Sequence, residues 1–284
     1  MENDIRNTQP ITQRHTGLLN NQQFDKEFAE KGYLVIDFLS PVEVEACRAL
    51  FNELDPHVES AFYSSIDSTD LTYREKVHHK LEELLQPKVD KLFNQMKVLV
   101  YTFIVKRPGE KSMVNLHLDD IHTNQEKFTA INFWFPLIDT NIQNGCLHVL
   151  PYSHKLPYVQ RAFGLDFRYN YIWNDIAPLM KPIFSTAGQA IIYNDRLIHS
   201  SPANLSGAIR PAVVFGLIPE EAPMEAAIKH KDLNTDEIEY FSVDRDFWLE
   251  FGKLDNAGSK YKSLAVEKIV EPDLSFQQFM SYLK

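Results

Sequence analysis

From Lys97 to about Pro219 the apolar residues recur with the period of strands, and no helical pattern alternates with them. Val98 to Val105 opens the series and Arg107-Pro108-Gly109 turns it. Ala130 to Leu137, Cys146 to Leu150 and Gln189 to Tyr193 follow, with Asn144-Gly145 and Asn194-Asp195-Arg196 as turns. Ile131, Phe133 and Phe135 share one face of their strand, Asn132 and Trp134 the other. Many short strands without intervening helices exclude a parallel sheet and leave an all-β sandwich or barrel, of which the jelly roll is the natural member.

Inside that series, Val114-Asn115-Leu116-His117-Leu118-Asp119 alternates so that Asn115, His117 and Asp119 lie on one face. An imidazole and a carboxylate at i and i+2 converge on one point and can supply two corners of a two-histidine, one-carboxylate metal triad. A His-x-Asp also arises by chance on a solvent-facing strand, so the assignment needs a third ligand and a cation for an acidic cosubstrate. His199 and Arg210 answer to both. The turn Asn204-Leu205-Ser206-Gly207 reads as the centre of a hairpin that sets His199 and Arg210 opposite each other on one side of the ladder. A buried guanidinium without a partner is strongly unfavourable, so Arg210 on an inward face predicts an anion beside it. On the surface the same arginine would pair with a carboxylate side chain.

The composition narrows the partners. A formal charge of -10 over 284 residues argues against nucleic acid, which needs a concentrated basic patch. Cys47 and Cys146 are the only cysteines, too few for a disulfide framework, which fits a cytoplasmic protein. The longest apolar run, Val98 to Val105, is far short of a membrane span, so no membrane partner is expected. Nothing in the chain bears on its oligomeric state.

One domain over residues 1–284 is the favoured organisation, with a polar arm (1–22), a helical flank (24–96), a strand-rich core (97–219) and a C-terminal extension (220–284). The arm is expected to be loosely held. Phe24 to Lys31 reads as a helix closed by Gly32, Tyr33 to Ile36 as a strand, and Pro41 to Leu54 as a helix opened by a Ser40/Glu43 capping box. A second helical region begins at Thr72, breaks at Pro87 and ends near Met96; His78 and His79 on it are read as solvated. Residues 155–182 form an aromatic-rich insertion, either a cover on the sheet or a wall of the substrate site. The extension shows a strand at Ile238 to Val243, a helix from Asp246 to Phe251 capped by Gly252, a terminal helix at Phe276 to Leu283, and no chemistry. Its aromatic load predicts docking on the core more than gating of the site.

His117-Leu118-Asp119, then His199, then Arg210 eleven residues on, resembles the site of the phytanoyl-CoA dioxygenase family of Fe(II)/2-oxoglutarate oxygenases. Gly32-Tyr33-Leu34-Val35, Trp134, Asn144-Gly145-Cys146-Leu147 and Pro151-Tyr152-Ser153-His154-Lys155 match as well, with tyrosine at 152 where the family has glycine. The match runs from about residue 24 to 219. The resemblance implies a double-stranded β-helix (a cupin-like jelly roll) in which His117, Asp119 and His199 hold one Fe(II). Arg210 would bind the far carboxylate of 2-oxoglutarate with help from Ser201, and Trp134 would line the pocket. With O2, such a site hydroxylates an unactivated C–H bond of a small-molecule or carrier-bound substrate, giving succinate and CO2. A desaturase or epoxidase, a metal-binding jelly roll without turnover, and a cupin-type isomerase stay open. His122, His148 and His154 are expected to be structural, because the triad is complete without them.

Overall fold

The computed structural model describes residues 16–55, 60–229, 236–250 and 260–284. Its core strands are β1 (Tyr33–Asp37), β2 (Phe62–Ser64), β3 (Met96–Lys106), β4 (Val114–His117), β5 (Ile131–Pro136), β6 (Leu147–Val149), β7 (Lys181–Ile183), β8 (Gln189–Asn194), β9 (His199–Ser201) and β10 (Arg210–Pro219). A six-stranded antiparallel sheet runs β1-β8-β5-β10-β3-β2, and a four-stranded one runs β4-β9-β6-β7. This is the expected jelly roll.

The six-stranded sheet is apolar on both faces, and each face has its own partner. Outward residues Val98, Tyr101, Phe103, Val105, Ile131, Phe133, Phe135, Val213 and Phe215 pack with the helices α1 (Gln22–Lys31), α2 (Pro41–Leu54) and α3 (Leu71–Leu92). Phe133 and Phe215 stack there at 4.7 Å between ring centroids. Inward residues Trp134, Ile191, Tyr193 and Ala212 meet Leu147, Val149 and Ile183 of the smaller sheet. Both faces being covered explains why β5 is buried at every position.

The flanking helices begin and end where the sequence signals them. Glu43 accepts the Ser40 N–H at 2.8 Å to open α2, and Gly32, at φ 80°, closes α1 in the left-handed conformation. A side chain at Gly32 would overlap the His154 ring, whose Nε2 meets Ala29 O at 3.1 Å; His154 is structural, as expected. Three expectations need correction. The arm is held from Gly17 on, because the Asp25 carboxylate accepts the N–H groups of Gly17, Leu18 and Leu19 at 2.6–3.0 Å and both leucines are buried; residues 1–15 lie outside the described residues. α3 is capped by Asp70 and runs through Pro87 without a break. Pro87 is exposed, so the carbonyl it strands can bond water, while buried Val77, Leu81, Leu85 and Val89 hold the opposite face. His78 is buried, not solvated, and its Nδ1 accepts the Tyr101 N–H at 3.2 Å across the helix–sheet interface.

Beyond the core, β11 (Glu225–Ile228), β12 (Glu237–Ser242) and β13 (Lys262–Lys268) form a third antiparallel sheet, of which the sequence pattern revealed only β12. The short helix α4 (Trp173–Ile176) lies in the insertion, and α5 (Arg245–Leu249) and α6 (Phe276–Tyr282) follow in the extension. The expected helix end at Phe251 and Gly252 lies outside the described residues. Phe279 of α6 is fully buried against Tyr169, and Arg168 Nη2 donates to Val270 O at 2.7 Å, so the insertion and the extension pack on each other.

Candidate metal and cosubstrate site

Between the two core sheets lies a cavity of about 340 Å³. The pleat decides what reaches it. Val100, Thr102, Ile104 and Lys106 alternate along β3, Asn132 and Trp134 along β5, and Arg210, Val214 and Gly216 along β10, so polar groups sit inside the barrel at fixed spacing.

His117 ends β4 and pairs with His199 on β9, which brings their rings to 4.0 Å between centroids. Asp119 follows past the strand end. Its two oxygens lie 3.6 Å from His117 Nε2 and 3.6 Å from His199 Nε2, and one ligand atom from each of the three residues falls within 4.8 Å of the others. His117 Nδ1 lies 2.8 Å from Asn115 O and His199 Nδ1 2.9 Å from Leu197 O. A carbonyl can only accept, so each Nδ1 carries a proton and each Nε2 is the ring atom turned to the common point. Burial, reinforced by His117, pushes His199 down to about 4, leaving that ring neutral at pH 7. Burial works against a charged Asp119, but His199, His117, His122 and Arg161 outweigh it and hold the carboxyl below its usual value.

Two residues that sequence reasoning did not single out fix Asp119. Asn132 Nδ2 donates to Asp119 Oδ2 at 2.6 Å. Buried Arg161, from the insertion, donates from Nη1 to the backbone oxygens of Asp119 and Asp195 at 2.7 and 2.6 Å, and from Nη2 to Asp195 Oδ2 at 2.7 Å. The inward alternation of Asn132 with Trp134 was the available signal for the first. Arg161 carried none, because its partners are distant in sequence. A Cβ on Gly216 would press on Leu99 Cδ1 at 3.1 Å and meet Asn132 Oδ1 and His122 Nε2 at the ordinary contact distances of 3.5 and 3.6 Å.

Arg210 also lines the cavity, but the expected hairpin with His199 does not form. β9 pairs with β4 and β6, whereas Arg210 opens β10 and faces Lys106 of β3 in the other sheet. The chain crosses between sheets at the turn instead of folding back on itself. The guanidinium is 2 % exposed, its Nε and Nη1 have no hydrogen-bond partner among the described residues, and its carbon lies 5.3 Å from the Trp134 ring centroid. Burial pushes Arg210 down to about 10. Lys106 beside it donates to Ser201 O and Pro202 O at 2.9 and 2.6 Å, and burial together with Arg210 pushes it down to about 7. Two buried cations with unspent donors make this end a receptor for an anion. Ser201 borders the same space, its hydroxyl donating to Gly145 O at 2.8 Å.

Away from Arg210, the cavity is bounded by Asp120, His122, Phe163 and Trp248. His122 therefore faces the site and is not merely structural, and Trp248 on α5 places a side chain of the extension there. Burial and the adjacent Asp119 push Asp120 up to about 7. His148 stays with the expectation: it is half-buried on β6, between β7 and β9, and does not line the cavity.

The sequence profile of the phytanoyl-CoA dioxygenase (PhyH) family matches residues 28–212. Two curated relatives are a phytanoyl-CoA dioxygenase of Arabidopsis thaliana, 26% identical over 69% of this chain and 88% of its own length, and phytanoyl-CoA dioxygenase 1 of Oryza sativa subsp. japonica, 25% identical over 72% and 91%. Among solved structures, the chain is similar to the non-haem α-ketoglutarate-dependent carbocyclase SnoK from nogalamycin biosynthesis, with TM-score 0.54 and 20% identity over 72% of this chain and 86% of that one. It is also similar to HygX from Streptomyces hygroscopicus, solved with nickel and 2-oxoglutarate bound, with TM-score 0.51 and 17% identity over 71% and 88%. At these identities, the solved structures bear on the fold alone.

Proposed function

The chain belongs to the phytanoyl-CoA dioxygenase family, and from that premise we propose that its cavity hydroxylates an unactivated C–H bond of a small-molecule or carrier-bound substrate. As a member, it is an oxygenase that uses Fe(II), 2-oxoglutarate and O2. Residue roles and the choice of reaction are our reading. The observation that carries it is the coincidence, in one cavity, of three convergent ligand atoms and a buried arginine with unspent donors.

The donor set fits the metal. Two neutral imidazoles and one carboxylate suit Fe(II) and leave coordination positions free. His117, Asp119 and His199 would hold it, and when bound it supplies the activation of O2 that drives decarboxylation of 2-oxoglutarate to succinate and CO2. The rest of the work falls to the chain. Asn132 and Arg161 keep Asp119 aimed; the Nδ1–H bonds of both histidines fix their rings. Arg210 clamps the far carboxylate of the cosubstrate, with Trp134 stacked on its guanidinium. Ser201 would reach that carboxylate only after turning its hydroxyl away from Gly145 O. Because Asp119 occupies the carboxylate position, chlorination is not expected.

Anaerobic addition of Fe(II) and 2-oxoglutarate should give the weak visible charge-transfer band of the chelate, and a substrate panel read by succinate release and mass spectrometry should show a gain of one oxygen. Loss of two hydrogens without added oxygen would point to a desaturase, and a band without succinate to a metal-binding protein. Turnover at the wild-type rate in His117→Ala, Asp119→Ala or His199→Ala under saturating iron would remove the assignment.

A further inference from the structure

The two ends of the cavity differ in charge. Along β10, Arg210 opens the strand while Gly216 faces the triad end with Asn132 and His122, and the Arg210 guanidinium reaches back to 5.3 Å from the Trp134 ring centroid. All the cationic side chains of the lining, Lys106 and Arg210, belong to the far end. Beyond the triad, the walls are Phe163 and Trp248, with ring centroids 6.2 Å apart, and the charged group is Asp120.

Asp120 has no hydrogen bond or ion pair among the described residues, although its neighbours are strongly cross-linked. The nearest candidate cation is already committed. Arg161 spends Nε and Nη2 on Gln125, Nη2 also on Asp195, and both Nη1 bonds on backbone oxygens, so all five of its N–H donors are used. Trp248 Nε1 and His122 Nδ1 are likewise buried without partners, and their rings lie 5.0 Å apart. The aromatic walls are held firmly. Phe163 N donates to Ala227 O and Lys229 N to Phe163 O, both at 2.9 Å, and buried Arg74 of α3 donates from Nη1 to Leu249 O at 2.8 Å, beside Trp248.

A carboxyl group with no cationic side chain left to pair with it among the described residues, lining the same end of the cavity as a phenyl and an indole ring, is the chemistry that recognises an organic cation. We propose that the Asp120–Phe163–Trp248 end of the cavity binds the protonated amine of the prime substrate, so that the substrates are small amines or molecules with an amine-bearing arm. This rests on the oxygenase reading of the same cavity. The extension then has a second role besides packing, since it supplies one of the walls. An acidic group entering here would meet the Asp120 carboxyl and no cationic side chain with a free donor, which disfavours anionic substrates.

The test uses the full-length, metal-free protein, with benzylamine and the uncharged benzyl alcohol as probes, and reads binding by calorimetry and by Trp fluorescence. Benzylamine should bind at least about tenfold more tightly than the alcohol, the share of a charge-assisted hydrogen bond. Asp120→Asn should abolish that preference while leaving benzyl alcohol binding as it was, and Trp248→Ala should weaken both probes. Equal affinity of the two probes, no measurable binding of benzylamine, or a preference that survives Asp120→Asn would overturn the proposal. Metal and 2-oxoglutarate are absent from this assay. A protein that binds the amine yet never turns over 2-oxoglutarate would therefore sink the oxygenase reading alone, and one that turns over 2-oxoglutarate without preferring the amine would sink only this inference.

Discussion

Replacing Arg210 by methionine should make the unliganded protein more stable and the enzyme useless. The guanidinium is 2 % exposed, its Nε and Nη1 have no partner among the described residues, and burial pushes its pKa from the ordinary arginine value down to about 10. That depression, at about 1.4 kcal/mol per unit, corresponds to about 3 kcal/mol of destabilisation carried by the charged form in the folded state. The sign is fixed by which state binds the proton more tightly. The unfolded chain does, so the cost is at full size everywhere below pH 10 and fades as the pH rises from 10 towards the ordinary arginine value. Methionine keeps the apolar stem but loses the contact with Trp134, worth about 1 kcal/mol, which leaves a net gain of about 2 kcal/mol at pH 7.5. Removing the neighbouring charge also relieves Lys106, whose pKa should climb from about 7. Urea denaturation in the presence of a chelator measures the stability, and titration of 2-oxoglutarate into the Mn(II)-loaded protein measures the function, where a loss of about two to three orders of magnitude is expected. Arg210→Met that is no more stable than wild type and still binds 2-oxoglutarate normally would refute the argument, because the arginine would then have a partner other than the cosubstrate.

Two further perturbations test the supports of the site. Asn132→Leu removes the 2.6 Å bond to Asp119 Oδ2 and should weaken metal binding about 10- to 100-fold in a chelator competition while leaving the melting temperature nearly unchanged; an unaltered metal affinity would show that Arg161 and the backbone hold Asp119 by themselves. Tyr152→Gly should raise stability by about 1 kcal/mol, since Tyr152 sits at φ 69°, a left-handed conformation that costs a side-chain-bearing residue about that much; the measurement is again urea denaturation, and a loss of stability would mean that the contact of its ring with Lys155 Nζ, 4.8 Å away, outweighs the strain.

What was legible in the sequence is what depends on local period and on residue chemistry. The alternation of β5 gave both faces of that strand, and an imidazole and a carboxylate at His117 and Asp119 can be recognised from spacing alone. Pairing partners are another matter. His199 and Arg210 were expected to face each other because eleven residues with a turn at the centre look like a hairpin, yet the jelly roll sends β9 to one sheet and β10 to the other. The two side chains still meet the same cavity, since in a sandwich both inner faces point to one space. The error in topology therefore cost nothing in the choice of residues. It did hide Lys106, which takes the place opposite Arg210 that had been given to His199.

The features that escaped detection share a physical cause. Arg161 and Trp248 act through contacts with residues far along the chain: Arg161 with Asp119, Asp195 and Gln125, and Trp248 with His122 and Phe163. No period marks such a residue, and an arginine in an aromatic insertion or a tryptophan in a short C-terminal helix reads as surface or packing. The question of whether the extension docks or shapes the pocket was posed as a choice, but Trp248 does both at once, with Phe247 packed beside it. Each belongs to the apolar cluster with Leu99, Phe163, Ile218 and Phe241, and the indole of Trp248 also forms a wall of the cavity. A truncation before α5 would expose that cluster and open the cavity together, so it cannot separate stability from specificity. Single substitutions at Asp120 and Trp248 can, because they change what the cavity offers a ligand while leaving the rest of the cluster in place.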